Sequence, residues 1–178
     1  MMSFLRLFLP LAMAGLQLHA QTSWQEKVAH ALPLLGHRDW IVVADPAYPL
    51  KNSTGFEVFA TGLSQTDLLT VVLNALGGAR NVRPVFFTDT ELAYVSEQDA
   101  NGISAYRAQL ATLLKGGEAS SLPQDQLEAK VDEAARTFHV LVLKSTTPLP
   151  YSAVFIDLDT GYWSPDAENR LRAAMKPK

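Results

Sequence analysis

Two hydrophobic patterns alternate along the chain: short, continuous apolar runs, and longer stretches whose apolar residues recur every three or four positions. A continuous run without polar positions predicts a strand that is buried on both faces, as in a parallel sheet. The run Trp40–Ala44 is the clearest example. The strands predicted in this way are Trp40–Ala44, Phe56–Ala60, Val82–Phe87, Leu92–Val95, Val140–Leu143 and Val154–Leu158.

The periodic stretches predict helices, and several begin or end at residues that favour helix termini. Ser23-Trp24-Gln25-Glu26 is a capping box, and Gly36 stands where a glycine commonly follows a helix. Pro33 conflicts with this first helix and predicts a kinked or shortened last turn. The other predicted helices run from an N-cap at Ser64 to Leu76, over Ala105–Leu114, from Leu127 to Phe138, and onward from Ser164-Pro165-Asp166.

Strands that alternate with helices predict a layered α/β fold. The stretch Lys115–Ser121 has the composition of a linker, but it is too short to separate two domains. A chain of 178 residues is of ordinary size for one domain. The pattern therefore predicts a single α/β domain.

The first 20 residues have the order of a secretory signal peptide. Arg6 carries the positive charge, Leu7–Leu16 is almost wholly apolar, and the small residue Ala20 marks the expected cleavage site. The apolar stretch is too short to span a bilayer, and a buried N-terminal helix is the alternative. We therefore expect residues 21–178 to form a periplasmic or secreted domain that is not attached to a membrane once the leader is removed.

Charge and composition exclude several classes of function. The formal net charge is −3 and no dense run of Lys and Arg occurs, so the sequence offers no patch for non-specific nucleic-acid binding. Without cysteine, the chain has no disulfide, no thiolate nucleophile and no Cys-ligated metal. The apolar fraction of 48% is typical of a globular protein that can bury a core.

Two polar residues flank the clearest strand. His37 precedes Trp40–Ala44, and Asp45 ends it. A histidine and a carboxylate beside one strand can transfer protons near neutral pH. Each also has a simpler interpretation: a loop histidine is more often solvated or at a helix end, and Asp before Pro46 favours a turn. The residues alone leave both interpretations open.

Other polar residues give weaker indications. Asp157 and Asp159 alternate in a strand-like segment and so face one side, which is half of a metal site. No His or Glu stands near them in sequence to complete the ligands, so a structural role is favoured. His30 is interpreted as a surface residue and His139 as structural. The chain carries no phosphate-binding loop, nucleophile elbow or zinc-protease motif.

The segment Leu35–Asp45, followed by Tyr48-Pro49, resembles the opening of the D-ribose pyranase and L-fucose mutarotase family (RbsD/FucU type), which reads Leu-Gly-His-x-Asp, a hydrophobic strand, Asp and a nearby Pro. Pro150–Ile156 is similar to the family's Pro-Tyr-x-Asn segment and last strand. The likeness extends from about His30 to about Trp163. The helix after Trp163 is then an extension of the single domain.

The resemblance implies a three-layer α/β domain with a mostly parallel or mixed central sheet. It implies general acid/base exchange of the anomers or ring forms of a free ribose- or fucose-like monosaccharide, without a cofactor. His37 would be the principal acid/base, and Asp45 would bind a sugar hydroxyl or orient His37. Tyr151 would offer its hydroxyl and a ring face to the sugar. Family members form ring-like homo-oligomers with sites at subunit contacts, so oligomerisation is expected too.

Two departures from the family pattern favour other functions. The family's second His has no counterpart in the segment around Gln124–Glu128, and its Asn after Pro-Tyr falls on Ala153. The alternative function is a non-catalytic monosaccharide-binding or assembly module on the same fold. The third hypothesis is a purely structural exported domain.

Overall fold

A computed structural model of the protein describes residues 24–115 and 119–175. These residues form five α-helices, six strands, and short 3₁₀ turns at Leu32–Leu34 and Thr90–Ala93. The helices are α1 (Trp24–Ala31), α2 (Gln65–Gly77), α3 (Ile103–Leu113), α4 (Gln124–Ala134) and α5 (Pro165–Ala174). The strands are β1 (Trp40–Ala44), β2 (Phe56–Ala60), β3 (Val82–Asp89), β4 (Ala119–Leu122), β5 (Val140–Lys144) and β6 (Val154–Thr160).

The strands form one mixed sheet in the order β2-β5-β1-β6-β3-β4. β1 pairs in parallel with β5, which pairs in parallel with β2. β6 is antiparallel to both of its neighbours, β1 and β3, and β4 is parallel to β3. Five strands therefore point the same way and β6 points back. We call the edge where β1 ends, at Ala44, the carboxyl edge, and the edge where β1 begins, at Trp40, the amino edge.

Helices cover both faces of this sheet, which confirms the expected three-layer α/β architecture. Ile41 and Val43 of β1 pack into one core with apolar side chains of α1, α2 and α3. Trp40, Val42 and Ala44 alternate with them and pack into a second core with α4. Because β1 is buried on both faces, its sequence is a continuous apolar run rather than an alternating one.

The helices are short, and two of them, α2 and α5, begin at capping serines that the sequence indicates. The Ser64 hydroxyl accepts a hydrogen bond from the Asp67 N–H at 3.2 Å, which confirms the predicted cap of α2. Ser164 caps α5 through the Ala167 N–H at 3.1 Å. Pro33 lies in the 3₁₀ turn that follows α1. Within the described ranges, no helix combines the length and the apolar character needed to cross a membrane.

Two predicted elements were wrong. The segment Leu92–Val95 is not a strand, because β3 runs on to Asp89 and a 3₁₀ turn occupies Thr90–Ala93. The linker-like stretch Lys115–Ser121 contains part of β4, which pairs with β3 as an edge strand. An edge strand needs few apolar residues, so its composition resembles that of a loop. The predicted leader and the Ser23 cap lie outside the described residues.

Gly55 allows the loop before β2 to approach the end of α4 closely. A Cβ atom at Gly55 would lie 2.1 Å from the Ala135 carbonyl oxygen and 2.8 Å from that of Phe138. The Gly55 carbonyl also accepts a hydrogen bond from the Val140 N–H at 2.8 Å. A side chain at this position would therefore push backbone apart and disturb the start of β5.

We expect Gly55→Ala to lower the free energy of unfolding by about 1–3 kcal/mol or more, because backbone atoms must move to accept the methyl group. The control is Gly77→Ala in α2, where a Cβ meets no atom within 4 Å. That change should raise the free energy of unfolding by about 0.4–1 kcal/mol. Urea unfolding of both variants tests this expectation, and a Gly55→Ala protein as stable as the wild type contradicts it.

Candidate functional site

The three residues predicted for the site do not lie together within one chain. His37 precedes β1 at the amino edge, and Asp45 follows β1 at the carboxyl edge. Tyr151 precedes β6, whose first residue Val154 pairs with Val43, so it lies at the carboxyl edge with Asp45. The five residues of β1 span roughly 17 Å at the usual strand rise. A single chain therefore places the imidazole far from the carboxylate and the phenol.

A tight turn positions His37. One carboxylate oxygen of Asp39 accepts the Gly36 N–H at 2.7 Å, and the other accepts the His139 N–H at 2.8 Å. Arg38 has a φ of 76°, a left-handed conformation that non-glycine residues seldom adopt. Asp39, the acid of the Leu-Gly-His-x-Asp pattern, is thus a structural residue that ties the turn to the strand beside β1.

An acid of β6, itself paired with an arginine of β3, lies beside the imidazole. His37 Nδ1 lies 3.3 Å from Asp159 Oδ1, and the His37 side chain is 53% exposed. The Arg83 guanidinium donates a hydrogen bond to Asp159 Oδ2, and the Thr160 N–H donates to Oδ1 at 2.7 Å. Although burial favours the neutral form, these hydrogen bonds hold the pKa of Asp159 below its usual range.

A polar cleft of about 430 Å³ opens beside His37. It lies between the turn that carries His37, the end of β6 and the start of α5. Its lining combines one histidine, two acids, two arginines and the partly exposed indole of Trp163. The lining side chains are His37, Arg38, Asp159, Thr160, Trp163, Ser164, Pro165, Glu168 and Arg172. Such a surface offers donors, acceptors and an aromatic face to a small polar ligand.

Asp157 and Asp159 alternate along β6, as predicted from their spacing. Asp157 is half-buried, and burial raises its pKa although the charge of His37 acts in the opposite direction. In the part of the chain that the structure describes, no three His, Asp or Glu side chains are grouped to hold a metal ion. The two acids therefore differ in electrostatic character, and Asp159 is the one in contact with the imidazole.

At the carboxyl edge, Asp45 forms the turn that its sequence favours. Its Oδ1 accepts the Ala47 N–H at 2.7 Å, and its carbonyl accepts the Tyr48 N–H at 3.3 Å. The residue is partly exposed at the end of the central strand. Its turn role and a ligand-binding role are compatible, because the carboxylate has a second oxygen.

Tyr151 lies in a strained turn at the carboxyl edge. Its φ of 54° is left-handed, and its ring is partly buried against the core that α2 and α3 share with the sheet. The next residue, Ser152, holds this turn: its carbonyl accepts hydrogen bonds from Gln65 Nε2 at 2.8 Å and from the Tyr106 hydroxyl at 2.6 Å. Burial raises the pKa of Tyr106, so this hydroxyl remains a donor.

Asp89, at the end of β3, was not predicted as a site residue. It is only 2% exposed, and both carboxylate oxygens lack a hydrogen-bond partner among the described residues. Burial, together with the charges of Glu91, Glu128 and Asp45, raises its pKa to about 7. The rule that ligands gather beyond the carboxyl ends of strands could have identified it, but the predicted strand ended two residues early.

A network of charged groups joins the loop after β1 to α4. Lys51 Nζ lies 2.6 Å from Glu128 Oε2 and 3.0 Å from Asp132 Oδ1. The Tyr48 hydroxyl donates to Glu128 at 3.4 Å, and Lys144 Nζ donates to the Tyr48 carbonyl at 2.6 Å. The network thus brings acids, two lysines and a phenol together, groups that can hydrogen-bond a polyhydroxylated ligand.

Solved structures share this fold. The chain is similar to RbsD of Bacillus subtilis, solved in complex with D-ribose, with 16% identity and a TM-score of 0.56 over 79% of this chain and 97% of that one. It is similar to FucU of Bifidobacterium longum, with 15% identity and a TM-score of 0.53 over 75% and 94% of the two chains. No family model and no curated protein matches the sequence. The comparisons confirm the resemblance at the level of the fold: this chain has the RbsD/FucU architecture.

The buried carboxyl of Asp89 predicts a specific dependence of stability on pH. Because its pKa is raised in the folded state, the fold retains a proton that the unfolded chain releases. The contribution of Asp89 to the free energy of unfolding is therefore fully present below the unfolded-state pKa, near 4, and is lost as pH rises through about 7. The loss is on the order of 4 kcal/mol.

Asp89→Asn should abolish this part of the pH dependence. The free energy of unfolding of the wild type, relative to that of the variant, should therefore fall between pH 4 and pH 8. Urea unfolding at a series of pH values measures the difference. Asp125→Asn, which removes an exposed acid of α4, is the matched control and should follow the wild-type curve. A pH-independent difference between Asp89→Asn and wild type contradicts the assignment.

Proposed function

We propose that this protein is a monosaccharide isomerase of the mutarotase and pyranase type, which exchanges the anomers or ring forms of a free ribose- or fucose-like sugar. The proposal is carried by one observation: the chain has the fold of a protein solved with D-ribose, with His37, Asp45 and Tyr151 at the ends of its central strands. These three side chains supply an acid/base, a hydroxyl acceptor, and an aromatic surface with a donor.

The separation of His37 from Asp45 supports a site shared between subunits. If the amino edge of one subunit meets the carboxyl edge of the next, His37 of the first approaches Asp45 and Tyr151 of the second. A contact between two different surfaces is heterologous, and repeating it generates a closed ring when the rotation closes. We therefore propose a ring-like homo-oligomer, in agreement with what the sequence resemblance implies.

The chemistry at such a site requires only proton transfers. His37 accepts the proton of the anomeric hydroxyl, while the ring oxygen receives a proton from the Tyr151 hydroxyl or a bound water. The bond between the anomeric carbon and the ring oxygen breaks, and the open-chain aldehyde forms. Rotation about the adjacent carbon–carbon bond exposes the other face, and the reverse transfers close the ring. Asp45 holds a sugar hydroxyl during these steps.

A non-catalytic monosaccharide-binding module is the second candidate. Ala153 is buried and apolar, so it offers no polar atom to a sugar. Gln124, in the segment where the family pattern has its second His, opens α4 with its backbone N–H held by the Glu91 carboxylate at 3.2 Å. A site with one acid/base group fewer can bind a sugar without accelerating its exchange.

Saturation-transfer NMR on D-ribose and L-fucose tests the proposal. We expect the protein to exchange anomers or ring forms faster than buffer, and His37→Ala to slow this exchange by about 10²- to 10⁴-fold, because it removes the acid/base group. Exchange at the buffer rate contradicts the enzyme proposal. Sugar binding without exchange would instead support the binding module.

A mixing experiment tests whether the site is shared. His37→Ala and Asp45→Ala should each be inactive, but random co-assembly in equal amounts should restore about a quarter of wild-type activity, because that fraction of heterologous contacts joins an intact His37 to an intact Asp45. Sedimentation of both variants checks that they still assemble. A mixture that assembles and remains inactive contradicts the shared site.

We also propose that the protein acts in the periplasm or outside the cell, on the basis of the signal-peptide pattern of residues 1–20. N-terminal sequencing of the protein recovered from those compartments should begin at Gln21. Retention of the intact leader on cytoplasmic protein would contradict this localisation.

A further inference from the structure

At the amino edge, the Asp159 carboxylate contacts the His37 imidazole. Asp159 lies on β6 directly opposite Arg83 of β3 in the strand register. Its Oδ2 accepts the hydrogen bond from Arg83, and its Oδ1 accepts the Thr160 N–H at 2.7 Å. A side-chain donor from β3 and a backbone donor from β6 therefore fix the carboxylate in place.

The fixed carboxylate meets a specific nitrogen of the imidazole. Asp159 Oδ1 lies 3.3 Å from His37 Nδ1. A carboxylate at this nitrogen favours the tautomer that carries its proton on Nδ1, because an ionised acid only accepts hydrogen bonds. Nε2 then remains without a proton and can accept one from a substrate.

Neighbouring charges do not provide the same restraint. Arg38 follows His37 in the turn, and its guanidinium lies 5.7 Å from the Phe138 ring. Asp157 is close enough to interact electrostatically with His37, but no ion pair joins these two in the described part of the chain, and burial raises its pKa. Asp159 is thus the acid that combines ionisation with contact at Nδ1.

We propose that Asp159, anchored by Arg83, is a positioning residue that sets the tautomer and the orientation of His37. The inference rests on the proposed function for its kinetic consequence, but the tautomer itself can be measured without any activity. In this role Asp159 acts through the imidazole, because its two oxygens are engaged by His37, Arg83 and Thr160.

Nitrogen-15 NMR of the imidazole in the full protein tests the inference directly, with the His37 signals assigned by their absence in His37→Ala. When the ring is neutral, we expect the Nδ1–H tautomer to predominate in the wild type. Asp159→Ala should shift the population towards the Nε2–H tautomer, and Asp159→Glu should restore part of the wild-type signal. Asp157→Asn is the matched control on the same strand and should leave the tautomer unchanged.

Exchange kinetics provide the second readout. Asp159→Ala should lower kcat by on the order of tenfold to a hundredfold with little change in KM, because it misorients the acid/base group without removing a sugar contact. Circular dichroism checks that the variant remains folded. A wild type without exchange activity defeats the proposed function only, since the NMR readout still decides the inference. A wild-type ring in the Nε2–H form, or an Asp159→Ala protein with unchanged tautomer and kcat, overturns it.

Discussion

The pairing of β1 in the middle of the sheet is the constraint on which both halves of the candidate site depend. β1 is hydrogen-bonded to parallel β5 on one side and to antiparallel β6 on the other, and none of its residues is more than 7% exposed. A shift of one residue would exchange the side chains of two separate cores, so the register is strongly specified. His37 and Asp45 lie before and after β1 and so at opposite edges, while antiparallel β6 begins just after Tyr151 at the carboxyl edge and carries Asp159 near the amino edge.

The acids at the two edges differ in how readily they ionise, and this difference suits the proposed chemistry. Asp159 at the amino edge receives hydrogen bonds from Arg83 and Thr160, and these stabilise its charge beside a half-exposed imidazole. Asp89 at the carboxyl edge is buried without a hydrogen-bond partner among the described residues, which favours its protonated form. In the proposed ring, an ionised acid would restrain the histidine of one subunit, and the facing edge of the next would contain a buried acid whose ionisation is disfavoured.

Polar side chains inside the fold hold the loops that carry the site. Gln65, only 1% exposed, donates from Nε2 to the carbonyls of Val43 and Ser152, and so joins the end of β1 to the turn of Tyr151. Asp39, which is only partly buried, holds the turn of His37 at the other edge. Buried hydrogen bonds of this kind are costly to leave unmade. They therefore fix the loop geometry more strictly than apolar packing alone.

Local signals in the sequence determined most of the elements, because apolar runs and capping residues act over a few positions. The strand Trp40–Ala44 has the predicted bounds, whereas Leu92–Val95 was wrong because a short apolar run has no period that separates strand from turn. The resemblance identified His37 and Asp45, and the strand between them already implied that they lie at its opposite ends. Tertiary structure decided that Tyr151 shares an edge with Asp45 and that Asp89 is isolated, because both follow from pairing between strands distant in sequence, and no local pattern records which groups such pairing buries together.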